Sequence, residues 1–198
     1  SIPGDFSSAT FFLVAAAVTG SRLFLRGLDM DDTQGDKAVV GMLREMGCVA
    51  SEEDEGVWIE GLDILEGAIL DLNATPDALP AMAVAGCAAR GETRLTNVPQ
   101  AREKETDRIA AMAAELEKLG AEVEELDDGL VIRGSQLSGA RVDGRGDHRI
   151  VMALAVAGLL ASDTTTVTTA EAAAITFPQF PELMQQAGAN LMVEENLE

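Results

Sequence analysis

Two hydrophobic patterns alternate along this chain. The first is a continuous apolar run rich in alanine: "FFLVAAAV" at residues 11–18, the core of "PDALPAMAVAGCAAR" after Pro76, and "VMALAVAGLLA" at residues 151–161. Each predicts a helix of about a dozen residues, because short apolar runs of that length outlast a typical strand. In the second pattern apolar residues recur every three or four positions. In "KETDRIAAMAAELEKLGAEV", Ile109, Met112, Ala113, Leu116 and Leu119 fall on one helical face. "QGDKAVVGMLREMGCVA" and "TFPQFPELMQQAGANLMV" repeat that amphipathic form. The three segments close at Gly47, Gly120 and Gly188, as a helix ending on a left-handed C-cap should. Between the helices lie β-rich stretches: "RLFLRG", "TRLTNV" and "TTVTT", then "GVWIEG" and "GLVIRG", with further strands expected at "LDILEGAILDL" and around "SGARVDG".

These patterns are one unit written three times. The alanine-rich segments open at Asp5, Asp77 and Asp147, spaced by 72 and 70 residues. Helix, strand, helix and strand follow in each copy. The reading is an α/β chain forming a single domain of three repeats, about 1–72, 73–143 and 144–198. Each Asp stands where a helix should start, so an N-cap accounts for it in the simplest way. Helix starts that point the same way would also combine their positive dipole ends into a site for anions.

Charge sharpens that idea. The chain has 34 acidic and 14 basic residues and a formal net charge of −20, which repels nucleic acid phosphates. Six of the fourteen bases nevertheless cluster: Arg102, Lys104, Arg108, Arg141, Arg145 and Arg149. Such a group can hold one or two small anions. The apolar runs are shorter than the roughly 20 residues that cross a bilayer, and no basic region precedes the first. A soluble, cytoplasmic protein without membrane partners is expected. Cys48, Cys87 and the lone His148 lack metal-ligand spacing, so neither metal nor cofactor is expected. The cysteines read as small apolar fillers at helix ends.

Four motifs carry a family resemblance. "REKETDRIAAMAAELEKLGAEVEE", "GDHRIVMALAVAG", "PGDFSSATFFLVAAAV" and "TFPQF" match, in order and spacing, the EPSP synthase family, the 3-phosphoshikimate 1-carboxyvinyltransferases. The resemblance covers the whole chain but only the C-terminal half of the family's usual length. It implies one domain of the two-domain enolpyruvyl transferase fold, built from three βαβαββ-type units with helices inside and sheets outside. It also implies an N-terminal partner domain that supplies the other half of the active site. The implied reaction joins phosphoenolpyruvate to the 5-hydroxyl of shikimate 3-phosphate and releases phosphate.

The resemblance assigns roles residue by residue. Arg108 and Arg149 match positions that bind the phosphoenolpyruvate carboxylate, which a guanidinium fork can meet bidentately. Lys104 matches a contact to the shikimate phosphate. Gln100 stands where the family commonly has an Asn for the same ligand. Asp77 matches the carboxylate that binds substrate hydroxyls and accepts a proton, and Glu105 the one that serves the vinyl carbon. His148 matches a supporting position that holds Glu105 or the ligand. Before "TFP" many members carry a lysine, and here that position is Ile175; Arg141 or Arg145 could replace its charge. From the residues alone Arg108 could simply pair with Glu105. Lys104 and Arg108, expected one turn apart on a helix face, should repel unless an anion lies between them. Two other readings fit the same repeats: a stand-alone anion-binding domain without catalysis, and the sister transferase acting on UDP-N-acetylglucosamine.

Overall fold

Three of the alanine-rich or amphipathic helices start at an aspartate because the carboxylate satisfies backbone N–H groups that a helix leaves unpaired. The computed structural model describes residues 4–194. Asp5 accepts hydrogen bonds from the N–H groups of Ser7 (3.2 Å) and Ser8 (3.0 Å) and opens α1, Phe6–Thr19. β1 (Arg22–Arg26), α2 (Ala38–Glu45), β2 (Val49–Glu53) and β3 (Gly56–Glu60) follow, then β4 (Leu65–Glu66) and β5 (Ile69–Asp71). The second copy contains α3 (Leu79–Ala88), β6 (Ala89–Arg90), β7 (Glu92–Thr96), α4 (Arg108–Lys118), β8 (Glu122–Leu126) and β9 (Gly129–Arg133). The third has β10 (Arg141–Asp143), α5 (His148–Gly158), β11 (Thr166–Thr168), α6 (Ala173–Thr176) and α7 (Phe180–Gln186).

The middle copy shows the unit in full. β5 pairs parallel to β7 across the α3 crossover, while β9 pairs antiparallel to both β7 and β8, giving the order β5-β7-β9-β8. In the first copy β1 and β2 flank β3, both antiparallel. In the third, β10 and β11 pair in parallel across α5. Every residue from Leu79 to Cys87 is buried in α3, which packs against α1, α4 and α5. A helix apolar on all sides belongs at the centre, and the small alanines let its neighbours approach. The sheets take outer positions, so the domain has helices inside and sheets outside. At Gly129 an added Cβ would meet Leu95 O at 1.8 Å, and only glycine admits that approach of β9 to β7.

The glycine caps form as the pattern requires: Gly47, Gly120 and Gly188 have φ of 105°, 90° and 99°. Cys48 and Cys87 are buried and unbridged, and burial pushes their thiols up to about 11 and about 12. Three expectations need correction. The charged stretch before Arg108 is not part of α4: Asp107 is the N-cap and accepts from Ala110 N–H at 3.0 Å, while Arg102 and Glu103 end a separate 3-10 turn, Pro99–Glu103. Asp77 caps nothing: α3 is entered through a 3-10 turn, Pro76–Ala78, without a side-chain cap. The last amphipathic segment, which opens at Thr176, becomes helical only at Phe180, since Pro178 lacks an N–H and Phe177 before it leaves helical geometry at φ −142°, ending the short α6 that precedes the segment. Among the described residues no helix is long and apolar enough to cross a membrane.

The break between α6 and α7 gives Phe180 its anchoring role. Its buried ring packs edge-on against Phe11 (6.2 Å between centroids) and Phe12 (5.8 Å). Phe180→Ala is expected to cost about 3–5 kcal/mol in urea unfolding. A loss under 1 kcal/mol would mean that α7 is not part of the cooperative core.

Candidate active site

Side-chain bonds tie several helix starts together on one side of the domain. The N–H of Phe6, first residue of α1, donates to Gln34 Oε1 at 2.8 Å. Asp36, just before α2, accepts from the hydroxyl of Thr75. Two residues beyond Thr75, Asp77 meets residues from the other two starts: Lys104 Nζ at 3.1 Å, Arg108 Nη1 at 2.8 Å and Arg149 Nη2 at 3.3 Å. Arg108 then reaches the N-cap of α5, with Nε 2.8 Å from Asp147 Oδ2 and Nη2 3.3 Å from Oδ1. Its Nη2 also donates to Glu105 Oε2 at 2.6 Å.

Arg108 is the centre of this cluster. Its side chain is 1% exposed and that of Asp147 is 0%, yet both keep partners on all sides. Burying such a pair is tolerable only when geometry is good and the remaining donors are satisfied. Four hydrogen bonds to three carboxylates meet that condition. Lys104, Arg108 and Arg149 balance Asp77, Glu105 and Asp147 in formal charge. Lys104 does not lie on the helix with Arg108; it caps the 3-10 turn Pro99–Glu103. The anion expected between those two cations is present all the same, and it is Asp77 of the protein itself.

The surroundings tune two groups. Burial pushes the Asp77 carboxyl up, but the charge of Arg149, the hydrogen bond from Lys104 and the charge of Arg108 outweigh it and hold the carboxyl below its usual 3.8. Burial also holds the His148 imidazole below 6.5, and the charge of Arg149 adds to it against the pull of Asp147. His148 is therefore neutral at pH 7. The carboxylate within 4.0 Å of its ring is Asp147, not Glu105.

Of the residues singled out from sequence, Asp77, Lys104, Glu105, Arg108 and Arg149 form one bonded cluster, and His148 borders it. Gln100 stands apart, its amide donating to Asn73 O at 3.0 Å. Arg102 turns away to Asp107 (2.7 Å), Glu125 (2.8 Å) and the carbonyls of Leu126 and Asp127. Arg145 is held by Glu115 and Arg141 lies exposed on β10, so neither joins the cluster in place of a lysine at Ile175. Ile175 itself is 77% exposed on α6. Sequence reasoning gave Asp147 only a capping role and passed over its grip on Arg108. The signal was its equivalence to Asp77 in the repeat.

Comparison with known proteins identifies the family and the fold. The family model described as EPSP synthase (3-phosphoshikimate 1-carboxyvinyltransferase) matches residues 1–184. The chain is 55% identical over 190 residues to the 3-phosphoshikimate 1-carboxyvinyltransferase of Acetivibrio thermocellus, covering 96% of this chain and 45% of that protein. It is 48% identical over 195 residues to the same-named protein of Halobacterium salinarum, with 96% and 45% covered. A solved EPSP synthase from Acinetobacter baumannii superposes with a TM-score of 0.90 at 32% identity, over 98% of this chain and 48% of that one. The chain thus spans about half the length of the relatives it matches.

Two expectations follow from the cluster. Arg108→Ala leaves the buried Asp147 carboxylate unpaired and should cost about 3–5 kcal/mol in denaturant unfolding; a loss below 1 kcal/mol would show that Arg108 is not structural. The His148 resonance should titrate with a midpoint below 6.5 in proton NMR. Its folded pKa lies below its unfolded value, so the associated stability is complete above pH 6.5 and is lost as pH falls through the folded midpoint. A midpoint at or above 6.5 contradicts this account.

Proposed function

The chain belongs to the EPSP synthase family, and from that premise we propose that it forms one wall of an active site. The site moves the enolpyruvyl group of phosphoenolpyruvate to the 5-hydroxyl of shikimate 3-phosphate and releases phosphate. One observation carries the reading: Lys104, Arg108 and Arg149 converge on the single carboxylate Asp77 where helix starts meet. The buried Arg108–Asp147 pair serves the fold. Lys104 and Arg149, however, add two further cations at Asp77 in a chain of net charge −20, a concentration of positive groups that suits anionic substrates.

In this reading Asp77 accepts the proton of the 5-hydroxyl as its oxygen attacks the second carbon of phosphoenolpyruvate. Glu105 gives a proton to the methylene carbon. Elimination reverses that transfer: Glu105 takes a methyl proton back as the phosphate leaves with its bonding electrons and carries off the proton held by Asp77, which returns both acids to their starting states. Asp77 is a weak base while three cations surround it. Anionic substrates that engage those cations raise its proton affinity at the moment a base is needed. Glu105, half exposed at 51%, is the partner that Arg108 can exchange for the phosphoenolpyruvate carboxylate. Arg149 takes the other side of that carboxylate, Lys104 meets the shikimate phosphate and Gln100 assists it. His148 supports the bound ligand as a neutral donor or acceptor.

The remaining length of the relatives corresponds to a partner domain that closes the cleft and supplies further cations. Three repeat units, about 1–72, 73–143 and 144–198, a cytoplasmic setting and a reaction without cofactor complete the proposal. Ile175 leaves one cation of the usual set to that partner.

The test is phosphate release from phosphoenolpyruvate and shikimate 3-phosphate. It uses this chain alone and mixed with the complementary N-terminal half, with Asp77→Asn and Lys104→Ala as controls. Arg108→Ala is a poor control, since its buried ion pairs are structural. Activity is expected only in the mixture, about 100-fold lower in Asp77→Asn, and with a raised KM for shikimate 3-phosphate in Lys104→Ala. A mixture that demonstrably associates yet releases no phosphate overturns the reading.

A further inference from the structure

One buried acid lies outside the cluster and has no part in the chemistry above. Glu115 sits on α4 two turns beyond Arg108, and its side chain is 0% exposed. A lone buried carboxylate is costly unless it is paired and hydrogen-bonded. Glu115 is both: Oε1 accepts from Arg145 Nε (3.1 Å) and Nη2 (2.6 Å). Oε2 accepts from Lys118 Nζ (2.6 Å) and from the backbone N–H of Asp143 (2.9 Å). Burial favours the protonated acid, but the bonds from Lys118, Asp143 and Arg145 outweigh it and hold the carboxyl below its usual 4.5.

The partners of Glu115 are what make it informative. Asp143 and Arg145 belong to the turn at residues 143–146, which delivers Asp147, His148 and Arg149. That turn is a demanding piece of backbone. Arg145 has φ +55°, a left-handed conformation uncommon for a side chain of its size. Asp143 Oδ1 accepts from Arg145 N–H (2.9 Å) and from Thr169 Oγ1 (3.2 Å), while Thr169 Oγ1 accepts from Gly146 N–H (3.2 Å). Asp147 N–H closes onto Gly144 O at 2.9 Å. Helix α4 therefore holds the same segment at two points: Arg108 binds Asp147 directly, and Glu115 binds the turn before it.

We propose that Glu115 is a positioning residue, fixing the 143–146 turn through Arg145 so that Asp147 aims the Arg108 fork and α5 presents Arg149 to Asp77. The proposal rests on the functional reading only in taking Arg108 and Arg149 as the anion-binding pair. A shift of about 1 Å in such a pair can cost two orders of magnitude in rate, which a surface salt bridge alone would not.

The experiment compares Arg145→Asn and Glu115→Gln with Phe180→Ala, a core variant whose ring packs on Phe11, Phe12 and Phe177 and makes none of the hydrogen bonds of the turn. Asn tolerates left-handed backbone, and Arg145 is partly exposed, so Arg145→Asn loses the clamp with the fold intact. Glu115→Gln supports it where it folds. Because the chain has one histidine, a single imidazole resonance reports the start of α5. In Arg145→Asn its NMR midpoint is expected to rise toward 6.5 as the turn loosens and the ring becomes hydrated. Phe180→Ala should keep the native midpoint even at a lower Tm. In the mixture with the complementary half, kcat/KM for phosphoenolpyruvate should fall about tenfold to a hundredfold in Arg145→Asn. An unchanged midpoint in Arg145→Asn, with only Tm lowered, overturns the proposal. If the native mixture proves inactive, the functional reading falls while the His148 midpoint still decides the clamp.

Discussion

The Arg108 guanidinium, buried and divided among Asp147, Asp77 and Glu105, is the interaction on which the rest of the structure depends. A guanidinium cannot shed its proton in a protein and has five N–H donors in a rigid plane. Once it is buried, its acceptors must come to it. Asp147 arrives as the cap of α5, Asp77 on the turn before α3, and Glu105 from the segment before α4. The meeting of those three entries on one side of the domain follows from the geometry of that plane. Arg108 also explains why Asp77 does not cap α3: its carboxylate is already committed to cations, and Pro76 and Pro80 lower the number of N–H groups that need a cap.

Balance within the cluster shapes what it can bind. Three cations facing three carboxylates leave little net field, so an incoming anion gains only by taking the place of a protein carboxylate. The partners differ in how readily they yield. Asp147 is fully enclosed and is held by Arg108 and by its own helix start, whereas Glu105 is half exposed and bound by one contact. The most exposed acid is the easiest to displace, and it is also the one proposed to serve the vinyl carbon. Preorganisation of this kind lowers the cost of assembling charge around a reacting group.

The repeat supplies the frame for that exchange. Alanine-rich α1, α3 and α5 pack closely because their side chains are small, which brings their starts near enough for single side chains to bridge them. The amphipathic helices lie beside them, and α4 alone carries charged partners at both ends of its buried face. Outer sheets complete the burial and leave the helix-start side of the domain for a ligand or for the rest of a longer chain.

Hydrophobic periodicity by itself determined the helices, their glycine ends and the strands at "GVWIEG" and "GLVIRG", because these depend on local propensity and burial; the strand expected after the last helix does not form among the described residues. The family resemblance marked Asp77, Gln100, Lys104, Glu105, Arg108, His148 and Arg149 together, and the structure joins five of them in one bonded cluster with His148 at its border and Gln100 outside it. What only the tertiary structure decided is which charge meets which. Arg102, Lys104, Arg108 and Arg145 look alike in sequence, yet Arg102 braces the β8–β9 turn, Arg145 serves Glu115, and Lys104 and Arg108 share Asp77. Ion pairs form between residues tens of positions apart, through side-chain directions that local pattern does not encode. The burial of Asp147 and Glu115 was hidden for that reason, since their partners lie 39 and 30 positions away. The start of α4 at its Asp107 cap and the break at Pro178, by contrast, are local features that the apolar pattern alone does not mark.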